Sequence, residues 1–298
     1  MENKKIINLN GVYTALVTPM KSNRQIDYKA LENLINFQLK ANIDGIVILG
    51  TTGENPTLDY YEKHRLIEFV QNLTYGKTNL IIGAGSNDTE KTISEIQGLS
   101  CTKADAILLS CPAYNKPTSE GLYSHFKTIL DHTHKPIILY NVPSRTGVNI
   151  PISVLEKLKG HENLIGIKDA SGDITYATKL AQLASKDFVL LSGNDNITLP
   201  LLSLGYSGVI SVLSNAFPNE MKYLIDLSMS GDKRTSLILQ NYMLPLMDAC
   251  FIETNPIPIK YILSKLKLIK NNLRLPLTPL SKKHQKQTNK LLEEYKFI

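Results

Sequence analysis

A lysine ends a short apolar run at Ile165-Gly166-Ile167-Lys168, just before the polar turn Asp169-Ala170-Ser171-Gly172. Ile165 and Ile167 alternate with Gly166 and Lys168, which predicts a β-strand that stops where the polar residues begin. An amine at the end of a buried strand emerges at the mouth of whatever sheet or barrel holds it. In a partly dry mouth the charged form of a lysine is disfavoured, its pKa falls from about 10.4, and the neutral amine attacks carbonyl carbon. The chemistry on offer is Schiff-base formation. A lone lysine at a strand end is more often a solvated charge, so the case rests on what else reaches the same mouth.

Other apolar runs end in residues of matching chemistry. Thr51 and Thr52 follow the second run, Tyr114 lies after the fourth, Tyr140 and Arg145 end and follow the fifth, Gly193 follows the seventh, and Ile210 lies in the eighth. Converting a carbinolamine into an imine needs a hydroxyl that shuttles protons, and Tyr140 is the phenol on the run before Lys168. An α-keto acid needs its carboxylate held, and a Thr-Thr-Gly turn offers hydroxyl and backbone N–H donors without fixed charge. A second anionic substrate needs a forked cation, which Arg145 supplies. Singly, each residue has a plainer reading: Tyr140 a core aromatic, Thr51-Thr52-Gly53 an ordinary turn, Arg145 a surface charge. Pointed together at one cavity, they favour catalysis.

The elements that would aim them together follow from periodicity. Residues 11–17, 45–49, 80–82, 106–109, 137–140, 165–168, 188–191 and 208–212 are short and almost wholly apolar, and helix-length amphipathic segments separate them. Runs buried on both faces and alternating with helices imply parallel pairing, and eight such units close a (β/α)8 TIM barrel, an α/β fold whose active site lies at the C-terminal ends of the strands. An open doubly wound sheet is the weaker alternative, because no Gly-rich nucleotide fingerprint follows the first strand. Asp27 caps the first helix, and Asp59 with Glu62 forms a capping box on the second. Past Ser230-Gly231-Asp232 the strand signals stop. Residues 233–250, 257–268 and 280–294 read as three helices, so we expect a catalytic barrel over 1–231 and a C-terminal three-helix appendage over 232–298.

With 43% hydrophobic and 20% charged residues the 298-residue chain has the composition of a globular protein, and no apolar run is long enough to span a membrane. Met1 to Asn10 carry charge with no apolar stretch behind them, so no secretory leader is expected. Cys101, Cys111 and Cys250 lack metal or disulfide spacing, which points to a reducing, cytoplasmic location. The net charge of +6 is concentrated in residues 260–290, with eight lysines, Arg274 and no acidic residue. A nucleic-acid surface would need aromatic platforms, and Tyr261 is the only aromatic there. The tract reads as a solvated helix face, with neither nucleic acid nor membrane as partner.

Three motifs go further. Gly50-Thr51-Thr52-Gly53-Glu54, Tyr140-Asn141-Val142-Pro143-Ser144-Arg145-Thr146-Gly147 and Gly166-Ile167-Lys168-Asp169-Ala170 closely resemble the dihydrodipicolinate synthase family of class I pyruvate-dependent aldolases, and the likeness extends to Asn255-Pro256-Ile257-Pro258. The sister N-acetylneuraminate lyases share the lysine and tyrosine but lack the arginine. The resemblance implies condensation of pyruvate with L-aspartate-4-semialdehyde on the route to diaminopimelate and lysine. Lys168 would form the imine and Tyr140 would give and take protons. Thr51 and Tyr114 would complete a relay, Tyr114 entering from a neighbouring subunit of a tight dimer, usually paired into a homotetramer. Thr52, Gly193 and the backbone of Ile210 would bind pyruvate, and Arg145 would receive the semialdehyde carboxylate. The imine is itself the electron sink, so neither metal nor cofactor is implied.

One departure from the family matters. Lysine-inhibited members carry an aromatic residue, a histidine and a glutamate where this chain has Ala113, Lys63 and Lys91, although Asn87 matches. Two cations facing an incoming ammonium imply weak or absent inhibition by L-lysine. The alternatives are an N-acetylneuraminate lyase or 2-keto-3-deoxy sugar acid aldolase, against which Arg145 argues, and a non-catalytic regulatory barrel.

Overall fold

A run that is apolar on both sides stays dry only in a sheet covered on both faces. In the computed structural model, which describes residues 7–297, eight such runs form β1 (Gly11–Ala15), β2 (Gly45–Ile48), β3 (Asn79–Ala84), β4 (Ala106–Ser110), β5 (Ile137–Asn141), β6 (Leu164–Asp169), β7 (Val189–Ser192) and β8 (Gly208–Ser211). Each pairs in parallel with the next, and β8 pairs with β1, closing the expected (β/α)8 barrel and leaving no edge for a doubly wound sheet. Residues 1–6, part of the stretch read for a leader, lie outside the described residues.

Around the barrel run α1 (Tyr28–Lys40), α2 (Tyr60–Thr74), α3 (Thr89–Gly98), α4 (Ser119–Asp131), α5 (Pro143–Thr146), α6 (Ile152–Leu158), α7 (Ile174–Ala181), α8 (Thr198–Ser203) and α9 (Pro218–Met229). Five of them, α1 to α4 and α7, start on side chains that satisfy the free N–H groups of a first turn. The Asp27 carboxylate accepts from Ala30 N at 3.1 Å, and Asp59 and Glu62 cap each other reciprocally at 2.9 and 3.2 Å.

Strand side chains alternate between two cores. Val12, Ile46, Ile48, Leu80 and Ile82 face outward to the helices, while Tyr13, Val47, Ile81, Leu108, Ile138, Leu191 and Ile210 fill the lumen. Tyr13 fits because residue 45 is glycine, where a Cβ would stand 2.2 Å from the ring. The Tyr13 hydroxyl donates to Asn8 O at 2.6 Å and accepts from Asn79 Nδ2 at 3.1 Å, sealing the end where β2 and β3 begin. Burial raises this phenol above its ordinary range. The interior is packed and not a channel, so chemistry is confined to the opposite mouth.

Three further helices follow, α10 (Lys233–Ala249), α11 (Ile257–Lys265) and α12 (Lys282–Glu294), close to the expected spans. The solvated face proposed for residues 260–290 requires correction at two positions. Lys260 is fully buried, because α11 is apolar on all sides, and its Nζ lies 2.5 Å from Glu54 Oε1. Arg274 is mostly covered and binds both oxygens of Glu62. Lys282, Lys283, Lys286 and Lys290 are exposed, as expected. Among the described residues no helix is long and apolar enough to cross a membrane. The three cysteines are free, and no cluster of three or more His, Cys, Asp or Glu is present among the described residues.

Candidate active site

Lys168 and Tyr140 stand opposite each other in the β5–β6 register, so parallel pairing fixes their side chains on the same side of the sheet. The Lys168 Nζ lies 4.3 Å from the centre of the Tyr140 ring. Lys168 is 6% exposed and Tyr140 9% exposed. Among the described residues Lys168 makes no ion pair, so no carboxylate among them ties up the amine. Beside it, a Cβ at Gly193 would stand 2.9 Å from Lys168 Cε and 2.6 Å from Ala170 Cβ. Only glycine leaves the lysine stem its room.

Two buried carboxyls belong to the same rim, Asp169, the next residue along β6, and Asp195, whose charge interacts with Lys168. Burial raises Asp169, opposed by hydrogen bonds from Ser171, Asn141 and Tyr206. Burial likewise raises Asp195, opposed by bonds from Ser211, Leu213 and Val212 and by the Lys168 charge. Asp195 Oδ2 accepts from Val212 N and Leu213 N at 2.9 Å each, which fixes the chain just past β8, next to Ile210. Ile210 itself is buried in the lumen. Cys111 is the nearby thiol, within 3.6 Å of the Tyr140 carbonyl. Burial pushes it up to about 12, so no thiolate competes with the amine at neutral pH.

Thr51 and Thr52 sit in the turn after β2, between Leu49 and Glu54, both of left-handed φ. Gly53 N donates to Gly50 O, Glu54 N donates to Thr51 O, and the Thr18 hydroxyl donates to Gly53 O at 2.7 Å, so the turn is tied down from both sides. Thr52 is buried and its Oγ1 accepts from Asn255 Nδ2 at 2.9 Å. Arg145, exposed on α5, donates from Nη2 to the carbonyl of the same Asn255 at 2.9 Å. Tyr114 stands apart: it is 92% exposed, with a left-handed φ of 72°. Among the described residues no hydrogen bond links the hydroxyls of Thr51, Tyr114 and Tyr140. The single chain therefore gathers Lys168, Tyr140, Gly193 and Ile210, presents Thr51, Thr52 and Arg145 through tethered turns, and leaves Tyr114 to solvent.

Sequence reasoning assigned no role to Asn255, Glu54, Lys260 or Asp195. A signal existed for one pair: Lys260 is a lone cation in the apolar stretch 257–263, and such a charge demands a buried counter-ion from elsewhere. Asn255 shows only as part of the Asn255-Pro256-Ile257-Pro258 motif, and nothing local marks Asp195. Cavity size is no guide either, since a hollow of about 760 Å3 bordered by α8, α9 and α10 contains none of the candidate residues.

A lysine inside an apolar mouth, a phenol beside it and hydroxyl and guanidinium donors around it suit imine chemistry on a keto acid. Comparison with known proteins points the same way. Residues 8–295 match the dihydrodipicolinate synthetase family. A 4-hydroxy-tetrahydrodipicolinate synthase of Thermotoga neapolitana is 44% identical over 277 residues, 92% of this chain and 94% of that protein. The crystal structure of dihydrodipicolinate synthase from Aquifex aeolicus superposes with a TM-score of 0.94 at 38% identity, covering 97% of this chain and 99% of that one. A chloride-inhibited dihydrodipicolinate synthase from Acinetobacter baumannii, solved with pyruvate, superposes with a TM-score of 0.94 at 35% identity over 98% of this chain and 100% of that one. Motifs, barrel and near full-length similarity agree that this chain belongs to the dihydrodipicolinate synthetase family.

Proposed function

We propose that the chain is a 4-hydroxy-tetrahydrodipicolinate synthase, condensing pyruvate with L-aspartate-4-semialdehyde. The observation that carries this reading is the Lys168 amine, buried beside the Tyr140 ring and without an ion-pair partner among the described residues. The neutral amine adds to C2 of pyruvate, and the carbinolamine loses water to give the imine. Loss of a methyl proton gives an enamine, whose carbon attacks the aldehyde of the second substrate. Attack of the semialdehyde amino group on the former C2 then closes the ring and frees Lys168. Tyr140 gives and takes the protons, with Thr51 and Tyr114 passing them on. Thr52, the Ile210 backbone and the clearance at Gly193 accommodate pyruvate, and the Arg145 fork receives the semialdehyde carboxylate. The carbon acid needs no metal or cofactor in this scheme, because the protonated imine takes up the electron pair.

The pyruvate-bound Acinetobacter baumannii relative supports the choice of keto acid, and Arg145 disfavours a sugar-acid aldolase. The 92% exposure of Tyr114 suits a residue completed by a second subunit, as in a tight dimer within a homotetramer. Three free cysteines suit a cytoplasmic setting. The test is borohydride reduction in the presence of pyruvate, followed by peptide mapping, with turnover compared between the semialdehyde and sugar-acid substrate sets. Reduction of the adduct onto Lys168 and turnover of the semialdehyde are expected. An adduct on another residue, or turnover of sugar acids alone, overturns the assignment.

A further inference from the structure

Asn255 joins two parts of the site that lie far apart in sequence. Its Nδ2 donates to Thr52 Oγ1, 203 residues away, and its main-chain carbonyl accepts from Arg145, 110 residues away. The residue is 6% exposed, and its Oδ1 is buried with no hydrogen-bond partner among the described residues. It projects from the loop between α10 and α11, which the buried Glu54–Lys260 pair holds against the Thr51–Thr52 turn. The same Glu54 accepts from Arg274 N through Oε2 at 3.0 Å, so the loop after α11 is fastened to this turn as well.

We infer that Asn255 is a positioning residue that sets the polarity of the Thr52 hydroxyl. A threonine oxygen that accepts from an amide N–H keeps its own hydrogen free to donate. The hydrogen of Thr52 is thereby kept for an anionic acceptor, the carboxylate of the keto acid, while the Asn255 carbonyl holds the Arg145 fork for the second carboxylate. The C-terminal helices thus belong to the substrate site through one amide. This inference rests on the proposed synthase reading.

The side chain serves Thr52 and the main chain serves Arg145, so side-chain substitutions separate the two. Asn255→Ala is expected to raise KM for pyruvate about tenfold while KM for the semialdehyde stays within about twofold, the scale of one lost hydrogen bond. Asn255→Asp keeps the shape but reverses the bond, since the carboxylate draws the Thr52 hydrogen to itself, and its pyruvate KM is expected to exceed that of Asn255→Ala. In a Thr52→Val background the Asn255→Ala effect on pyruvate KM is expected to shrink to within about twofold. Pyruvate KM values near that of the unaltered enzyme, both substrates weakened in parallel, an Asp variant no worse than Ala, or an effect that persists without the Thr52 hydroxyl each overturn the inference. A variant that loses folded protein, by circular dichroism, yet keeps an unchanged pyruvate KM in the remaining active fraction counts against it too. The two readings fail differently: absence of a pyruvate adduct on unaltered Lys168 removes the synthase assignment, whereas normal adducts with unchanged KM values remove the Asn255 role alone.

Discussion

The Nζ of Lys168 hangs 4.3 Å from the centre of the Tyr140 ring, with the two residues paired across β5 and β6. The ring face lies against the amine, and in the proposed reaction the hydroxyl at its tip serves proton transfer. Tyr140→Phe separates these roles. It is expected to lower kcat roughly 10²–10⁴-fold, the usual range for a lost acid–base group, with little change in melting temperature. Stopped-assay kinetics with calorimetry check this, and a kcat within threefold of normal would count against the shuttle.

The buried Glu54–Lys260 pair predicts an asymmetric stability response. Burial pushes the Lys260 ammonium below its ordinary range while Glu54 opposes the shift. Lys260→Met leaves the Glu54 carboxylate dry and without its ammonium, holding only the Arg274 N–H, and is expected to cost roughly 3–5 kcal/mol. Adding Glu54→Gln removes the stranded charge and is expected to restore a large part of that loss. Urea unfolding of both variants decides the point, and a single variant no less stable than the double would refute it.

His125 predicts a pH dependence on α4. It is buried, its Nδ1 lies 2.9 Å from Thr89 Oγ1, and its Nε2 has no partner among the described residues. Burial pushes the imidazole down from 6.5 to about 4, partly offset by Asp88. The unfolded chain therefore takes up this proton first. Its contribution to stability is intact above about 6.5 and is lost as pH falls toward about 4, amounting to roughly 2 kcal/mol at pH 5. His125→Leu is expected to flatten that part of the stability–pH curve, and unfolding midpoints at pH 7.5 and 5 measure it. An equal slope in both proteins would show that other groups cause it.

By the family resemblance, Lys63 and Lys91 take the places of a histidine and a glutamate of lysine-inhibited members, with Ala113 ahead of Tyr114. Lys91 is exposed, and Lys63 and Ala113 are partly so. The two lysine charges would repel a free ammonium, so L-lysine is expected to inhibit only above millimolar concentration. Initial rates across a lysine titration test this, and half-inhibition well below about 1 mM would contradict the repulsion argument.

Much of the fold is written locally. Runs such as Gly45-Ile46-Val47-Ile48, short and bounded by turn residues, read as two-face-buried strands, and Asp59 with Glu62 marks a helix start without tertiary information. The mouth residues follow from that frame, because a barrel sends every strand end to one rim. Contacts between distant segments were not legible. Glu54 and Lys260 are 206 residues apart, and Lys260 sits in a tract whose other lysines are solvated, so its burial shows only once α11 is packed. Asn255 was visible as part of a motif, but its two bonds depend on how the C-terminal helices lie over the rim. Nor does local pattern say that Tyr114 would be almost wholly exposed.

With Tyr13, Asn8 and Asn79 stoppering its floor, the barrel is a blind alley. Keto acid, aldehyde, the water shed in forming the imine and the finished ring all use one doorway. The shed water must clear that passage before the aldehyde settles beside the enamine, and the ring must leave before another keto acid enters, so turnover here is a matter of queueing as well as bond making.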